Sequence, residues 1–173
     1  SSEIGLKQGI KVGKWMGYLD AAAFIMEYND MMEFNFGNWG ETISYNIDQI
    51  NGEIVANGIG FKSVNVGKTR VNGMEFSFNG HGEISPNFSI NILAGYTYMN
   101  TKSLNPNYVY FENTYYLSSE GVIIDTITEL LTYNNTSSDT SVLKYRYKHI
   151  AKLDAELTYK KFAIGSSFRY NDF

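Results

Sequence analysis

The stretch that decides the fold is LKYRYKHIAKLDAELTYK, from Leu143 to Lys160, in which apolar and polar residues alternate. Its odd positions are apolar or aromatic except for His149, and its even positions are mostly charged. Because successive side chains of a strand point to opposite faces, the pattern predicts a strand with one apolar and one charged face. A soluble sandwich fits such a strand with the apolar face in its core. A membrane barrel fits it with the apolar face on lipid and the charged face on a wet lumen.

Five further stretches alternate in the same way, about 3–12, 16–36, 58–84, 88–98 and 162–173. The connections near residues 14, 86 and 161 are a few residues long, whereas 37–56 and 102–142 are predicted as long loops. Aromatic residues also gather at the strand ends. Short turns alternating with long loops, together with aromatic belts, are typical of an outer-membrane barrel. We therefore predict an all-β fold, a transmembrane antiparallel β-barrel segment of about six strands.

Composition excludes several classes of function. The 173 residues carry 14 Lys and Arg against 18 Asp and Glu, a net charge of −4, which lacks the basic surface typical of nucleic-acid binding. Cysteine is absent, so disulfides and thiolate metal sites are excluded. The two histidines, His81 and His149, are predicted on opposite faces, so we expect no shared metal site. No arrangement predicts catalysis or a cofactor.

The predicted strands are too few for a closed barrel. Known bacterial membrane barrels begin at eight strands, and an open edge in lipid leaves backbone groups unpaired. In the last strand Phe168 and Tyr170 place the apolar face on even positions, whereas Phe173 is odd. We therefore expect the chain to be an internal piece of a larger barrel.

Several short motifs share their order and spacing with one known family. In VNVGKTRVNGME, Val64 to Glu75, an Asn precedes a turn-like Gly, and a Gly-x-Glu opens the next strand. The other matching motifs are Ala21–Phe24, Tyr28–Asp30 with Phe34, Ala94–Tyr98, Arg146 with His149, and Phe168–Asn171. Together they resemble TonB-dependent outer-membrane receptors, in the pattern of Bacteroidetes members.

The resemblance implies an importer in the outer membrane of a Gram-negative bacterium. Such a receptor is a 22-stranded barrel around an N-terminal plug, and this chain would supply only wall and outer loops. The cargo would be a scarce nutrient, such as a siderophore, haem, vitamin or oligosaccharide. The implied partners are outer-membrane lipid, TonB acting through the missing plug region, and a surface lipoprotein on the long loops.

Two sets of residues are candidates for contact with the cargo. Aromatic and basic side chains in or near the second long loop are predicted to bind ligand, with the basic pair suited to an anionic substrate: Tyr108, Tyr110, Tyr115, Tyr116, Arg146 and Lys148. The tyrosines also fit a loop that packs on its own side chains, and the basic pair also fits a lumen wall paired with the plug or neighbouring strands. Within this loop, residues 120–133 are apolar enough for a short helix or hairpin. Polar residues on strands are predicted to face the lumen: Glu75, His81, Lys144, Lys152, Asp154, Glu156 and Arg169. Asp154 and Glu156 are arranged like a glycosidase pair, but charged lumen residues are common in barrels, so no catalysis is predicted.

Two other classes of function also fit the sequence. A passive porin or a structural barrel subunit of an envelope complex fits the same strands, and its gene would encode no plug. A soluble β-sandwich that binds carbohydrate also shows alternating strands, but it would bury its apolar stripes face to face and would not need detergent.

Overall fold

The computed structural model describes residues 1–39, 43–46, 59–119, 122–137, 139, 143–144 and 146–173. Most of the predicted loop 37–56 lies outside these residues. The chain divides into two compact units. We call the first, residues 1–27, 70–101 and 145–173, the sheet unit, and the other, residues 28–69 and 102–144, the loop unit.

The described residues form eleven strands and one helical turn. They are β1 (Ser2–Val12), β2 (Trp15–Tyr28), β3 (Met32–Asn38), β4 (Ile43–Asn46), β5 (Ile59–Asn65), β6 (Thr69–Ser85), β7 (Phe88–Ser103), β8 (Val109–Ser119), β9 (Val122–Thr132), α1 (Tyr133–Thr136), β10 (His149–Tyr159) and β11 (Phe162–Asp172). No helix among the described residues is long and apolar enough to cross a membrane.

The sheet unit is one six-stranded sheet in the order β1-β2-β6-β7-β10-β11. Leu153 on β10 lies opposite Ala94 on β7 and Phe168 on β11, whereas the neighbouring Lys152 lies opposite Gly95 and Arg169. The register therefore gathers apolar side chains on one face and polar side chains on the other. We call these the apolar face and the polar face.

The apolar face of the sheet is exposed. Leu153 is 44% exposed, and Ile164 and Phe162 on β11 are 73% and 79% exposed. Aromatic residues stand at the ends of this face, Phe88 near the short turns and Tyr98 ten residues further along β7. That separation is about 33 Å along the strand, or about 25 Å of height at a tilt near 40°, which is the thickness of a lipid-facing band. The exposed face thus matches hydrocarbon in size and chemistry.

Two long predicted strands are interrupted. The stretch 16–36 is divided into β2 and β3, and the stretch 58–84 into β5 and β6. The interruption between β5 and β6 falls at Gly67, whose φ of +80° favours glycine. Asn65 Oδ1 accepts a hydrogen bond from the Gly67 N–H at 2.8 Å, so this Asn does precede a Gly turn. Met31 N–H donates to the Gly67 carbonyl at 3.0 Å and fixes the opposite chain.

The predicted strand 143–160 is too long at its beginning. β10 starts at His149, while Leu143 is 1% exposed within the core of the loop unit and Lys144 lies in a turn. The placement of Lys144 on the polar face of this strand is therefore wrong. Leu143 is held instead by burial beside Val64, Val66 and Tyr133.

The loop unit carries more regular structure than the one short helix or hairpin predicted within its long loop. β3 pairs antiparallel with β5, and β8 pairs antiparallel with β9, so much of the segment 102–142 is a hairpin. β4 pairs with β8 in parallel. Met31, Trp39 and Tyr110 pack against the four buried core residues.

Candidate functional site

Polar side chains on three adjacent strands form a hydrogen-bonded row across the polar face. His81 Nδ1 on β6 lies 2.7 Å from Asn91 Oδ1 on β7, and Asn91 Nδ2 donates to Glu156 Oε1 on β10 at 3.1 Å. The register places Glu156 directly opposite Asn91. An amide suits this middle position because its oxygen accepts from an imidazole N–H while its nitrogen donates to a carboxylate.

A second row lies further along β10 and β11. Lys152 Nζ is 2.7 Å from Asp154 Oδ2, and Ser167 donates its hydroxyl proton to Asp154 Oδ1 at 2.5 Å. Arg169 lies opposite Lys152. A cavity of about 360 Å³ reaches from Asn91 to Ser167 between the two rows. Charges of both signs and hydroxyl groups here can hydrogen-bond a polar solute or a polar protein segment.

Glu75 contributes to a third polar region, on β6. It lines a cavity of about 420 Å³ together with Lys7 and Asp20. Lys7 Nζ lies 3.6 Å from Asp20 Oδ2, and the Ser77 hydroxyl is 3.5 Å from the same oxygen. The polar face therefore continues as a mixed-charge surface toward β1.

The predicted ligand-binding tyrosines belong to the loop unit and differ in exposure. Tyr108 is 43% exposed. Tyr110 is half-buried, and its hydroxyl donates to Thr136 Oγ1 at 2.8 Å. Tyr116 is half-buried on β8, and the side chain of Tyr115 lies outside the described residues. Of the described tyrosines in this set, Tyr108 thus offers the most accessible ring.

A buried polar cluster lies inside the loop unit. Glu33 and Asn35, on one side of β3, are 6% and 2% exposed. Lys144 Nζ donates to Asn35 Oδ1 at 3.2 Å and to the Thr136 carbonyl at 2.9 Å. The Tyr133 hydroxyl accepts from the Lys144 N–H at 2.5 Å. Lys144 therefore joins β3, α1 and its own segment, and we call these five residues the Lys144 cluster.

Burial and the Glu33 carboxylate shift the pKa values of tyrosine and lysine side chains in and beside this cluster. Burial raises the pKa of the Tyr133 phenol well above its usual value, and the nearby Glu33 charge raises this pKa further. Burial likewise raises the pKa of Tyr110. For Lys144, burial lowers the pKa while Glu33 raises it. The folded unit therefore favours neutral phenols at Tyr133 and Tyr110.

The raised phenol pKa values predict alkaline destabilisation of the loop unit. In the unfolded chain these phenols ionise near pH 10, but in the folded unit they ionise later, so their stabilisation is complete below about pH 10 and is lost as pH rises further. The lowered pKa of Lys144 has the opposite effect on stability. Just below the ordinary lysine pKa, the folded unit holds this proton less tightly than the unfolded chain, so stability rises with pH there. Protease susceptibility of residues 102–144 should therefore rise above about pH 10, and Tyr133→Phe should weaken that rise. An unchanged pH profile in the variant would contradict the assignment.

The structure brings together only part of the predicted set. His81, Lys152, Asp154, Glu156 and Arg169 lie on the polar face as strand residues. Arg146 and Lys148 are exposed residues just before β10 in the sheet unit. Sequence reasoning missed Asn91 and Ser167, which link the charged residues, and it missed buried Glu33. The alternation Glu33-Phe34-Asn35-Phe36 was the available signal for a polar side on β3.

The exposed apolar face, the polar face and the aromatic ends define the wall of a membrane barrel. The family model for the TonB dependent receptor-like β-barrel matches residues 1–173, so the chain belongs to this family. Its members are outer-membrane transporters rather than enzymes, and they act in contact with outer-membrane lipid and with TonB. No curated protein and no solved structure matches the chain.

Proposed function

We propose that this chain forms wall and outer loops of a TonB-energised importer of a scarce nutrient, such as a siderophore, haem, vitamin or oligosaccharide. The observation that carries the proposal is the sheet whose apolar face is exposed, with Leu153 and Phe168 on that face and the His81–Asn91–Glu156 row on the polar face. Exposure of an apolar face to water is unfavourable. Lipid against the apolar face and a water-filled lumen against the polar face stabilise the two faces. Family membership supports the same arrangement.

The sheet edges support a larger barrel. β1 and β11 stand at the two edges of the six-stranded sheet. Unpaired backbone groups in hydrocarbon cost several kcal/mol each, by order of magnitude, so further strands should pair with both edges. We propose that these six strands belong to a barrel of about 22 strands, the number that the family resemblance implies.

We propose that the three short turns lie on the periplasmic side and that the loop unit is extracellular. Within the loop unit, exposed Tyr108 is suited to stacking on a ligand ring or sugar. In the sheet unit, Arg146 and Lys148 carry exposed positive charge just before β10, which suits an anionic ligand such as a ferric chelate. The residues proposed to face the lumen are those of the polar face, with Glu75, His81, Lys152, Asp154, Glu156 and Arg169.

A surface lipoprotein is the proposed partner of the loop unit. Five large apolar residues on the outward side of the β3–β5 pair are each more than 60% exposed: Met32, Phe34, Phe36, Ile59 and Phe61. The opposite side of β3 carries buried Glu33 and Asn35. Contiguous exposed apolar surface of this kind is a common feature of protein interfaces.

Uptake measurements test the proposed import directly. Cells that express the protein should accumulate a labelled nutrient from the proposed classes, and accumulation should fall to the level of a deletion strain when TonB is removed. Tyr108→Ala should reduce uptake about ten-fold through the loss of a stacking contact, an order-of-magnitude value from about 1.4 kcal/mol. Lys68→Ala, an exposed change in the same unit, is the matched control. Uptake that persists without TonB would instead indicate a passive porin.

A further inference from the structure

The turn between β10 and β11 carries two adjacent lysines in a fixed backbone. Lys160 has a φ of +55°, in the left-handed region. Its N–H donates to the Asn87 carbonyl in the neighbouring turn at 2.9 Å. Its ammonium lies 5.3 Å from the centre of the Tyr159 ring. The turn is thus anchored from both its backbone and its side chain.

An exposed apolar platform begins directly beside these lysines. Phe162 and Ile164, both on the apolar face of β11, are 79% and 73% exposed. Tyr159, opposite Phe162 in the register, is 49% exposed, and its ring contacts Phe88 at 6.2 Å between ring centres. Positive charge at a turn and apolar side chains along the adjoining strand form an amphipathic surface.

The other lysine turn of the sheet differs in charge. Lys14, in the turn between β1 and β2, lies 2.8 Å from the Glu83 carboxylate, which balances the charge of this lysine. Among the ion pairs of the described residues, none includes Lys160 or Lys161. The β10–β11 turn therefore carries two adjacent lysines outside these ion pairs, whereas the turn lysine Lys14 is paired.

We propose that the β10–β11 turn binds the headgroup of an anionic phospholipid, with Lys160 and Lys161 at the phosphate and the acyl chains along Phe162 and Ile164. Lysines near a bilayer surface attract anionic lipid. A free phosphate would leave the adjoining apolar platform uncovered, whereas a phospholipid satisfies both halves of the surface. The inference rests on the membrane location of the family and is independent of the cargo.

Spin-labelled lipids test this site in the intact protein. These 173 residues contain no cysteine, so Phe162→Cys provides the one labelling position among them for a fluorophore on the apolar face. In vesicles, phosphatidylglycerol and phosphatidylcholine that carry a nitroxide at the same acyl carbon differ only in their headgroups. We expect the probe to favour the anionic lipid about five-fold, the approximate contribution of one lysine at a membrane surface. The double variant Lys160→Gln and Lys161→Gln should remove this preference.

A matched probe beside the turn of the paired Lys14 separates a local site from general attraction to the bilayer. Val12→Cys is also exposed, at 69%, and lies next to the turn that holds the Lys14–Glu83 pair. It should show little headgroup preference. Equal preference at both positions, or no preference at Phe162→Cys, would overturn the proposal. Native mass spectrometry of the unlabelled protein gives a second readout, because it should retain phosphatidylglycerol over phosphatidylcholine and should lose this selectivity in the double lysine variant.

Discussion

Replacing Gly73 with valine is expected to abolish assembly of the six-stranded sheet. A Cβ atom at Gly73 on β6 would clash with the backbone carbonyl oxygen of Tyr98 on β7 and would lie 2.7 Å from the Phe24 ring. A ring can turn away, but a carbonyl within a strand ladder moves only if the pairing of the strands changes. Overpacking of this kind costs about 3 kcal/mol or more. The folded fraction after refolding into detergent, measured by heat-modifiable gel mobility, should therefore fall sharply.

Gly9 provides the matched control for this prediction. It lies on β1 in the same sheet, and a Cβ atom there meets nothing within 4 Å. Gly9→Val should therefore assemble nearly as well as the unchanged protein. Adding Phe24→Ala to Gly73→Val should not restore assembly, because the Tyr98 carbonyl remains. If the two valine variants assembled equally, the close approach between β6 and β7 would be refuted.

The alternation predicted each of the six strands of the sheet, although not all of their bounds. It is a local property, since each side chain's face follows from its neighbours two residues away. The sequence around Leu153 and Phe168 therefore identified the apolar face before any pairing was known. The register then confirmed the predicted separation of Lys152 from Leu153.

The interruptions could not be predicted from the same pattern. Alternation continues through Phe34 and Phe36, so the period alone does not separate β2 from β3. The separation depends on the hydrogen bond from the Met31 N–H to the Gly67 carbonyl, between residues far apart in the chain. The pattern 143–160 misled for a related reason, because Leu143 continues the period of β10 yet is buried in the loop unit.

The hydrogen bonds within the polar face could not be predicted from the sequence either. Asn91 is an ordinary polar residue on its own strand, and its role depends on having His81 and Glu156 on either side. These partners become neighbours only through strand order and register. The charged residues of the candidate site could therefore be predicted individually, whereas the hydrogen-bonded row could not.

Replacing Lys144 with methionine is expected to loosen the loop unit while the six-stranded sheet stays folded. Methionine keeps much of the apolar stem but loses the hydrogen bonds to Asn35 Oδ1 and the Thr136 carbonyl. It also removes the positive charge near buried Glu33. The loss of these two hydrogen bonds and of a half-buried positive charge costs about 3 kcal/mol by order of magnitude. Local opening should then be about 100-fold more frequent, since each 1.4 kcal/mol corresponds to a factor of ten.

Hydrogen exchange of the backbone amides gives the appropriate measurement for this variant. Protection should decrease in β8, β9 and α1 of the loop unit and should stay unchanged in β10 and β11. Lys68→Met, at an exposed lysine of the same unit, should leave both regions protected. A uniform loss of protection throughout the chain would mean that Lys144 supports global folding instead.

A second substitution separates the charge of the Lys144 cluster from its packing. Glu33→Gln removes the carboxylate with little change in volume, so in the Lys144→Met background the neutral amide no longer needs a nearby cation. The double variant should therefore regain part of the protection lost by Lys144→Met, although Asn35 Oδ1 still lacks its donor. Glu33→Gln alone should be destabilising, because it leaves the Lys144 ammonium half-buried without the carboxylate charge. If the two substitutions were simply additive, the Glu33–Lys144 interaction would contribute nothing, and the loss in Lys144→Met would come from the two hydrogen bonds alone.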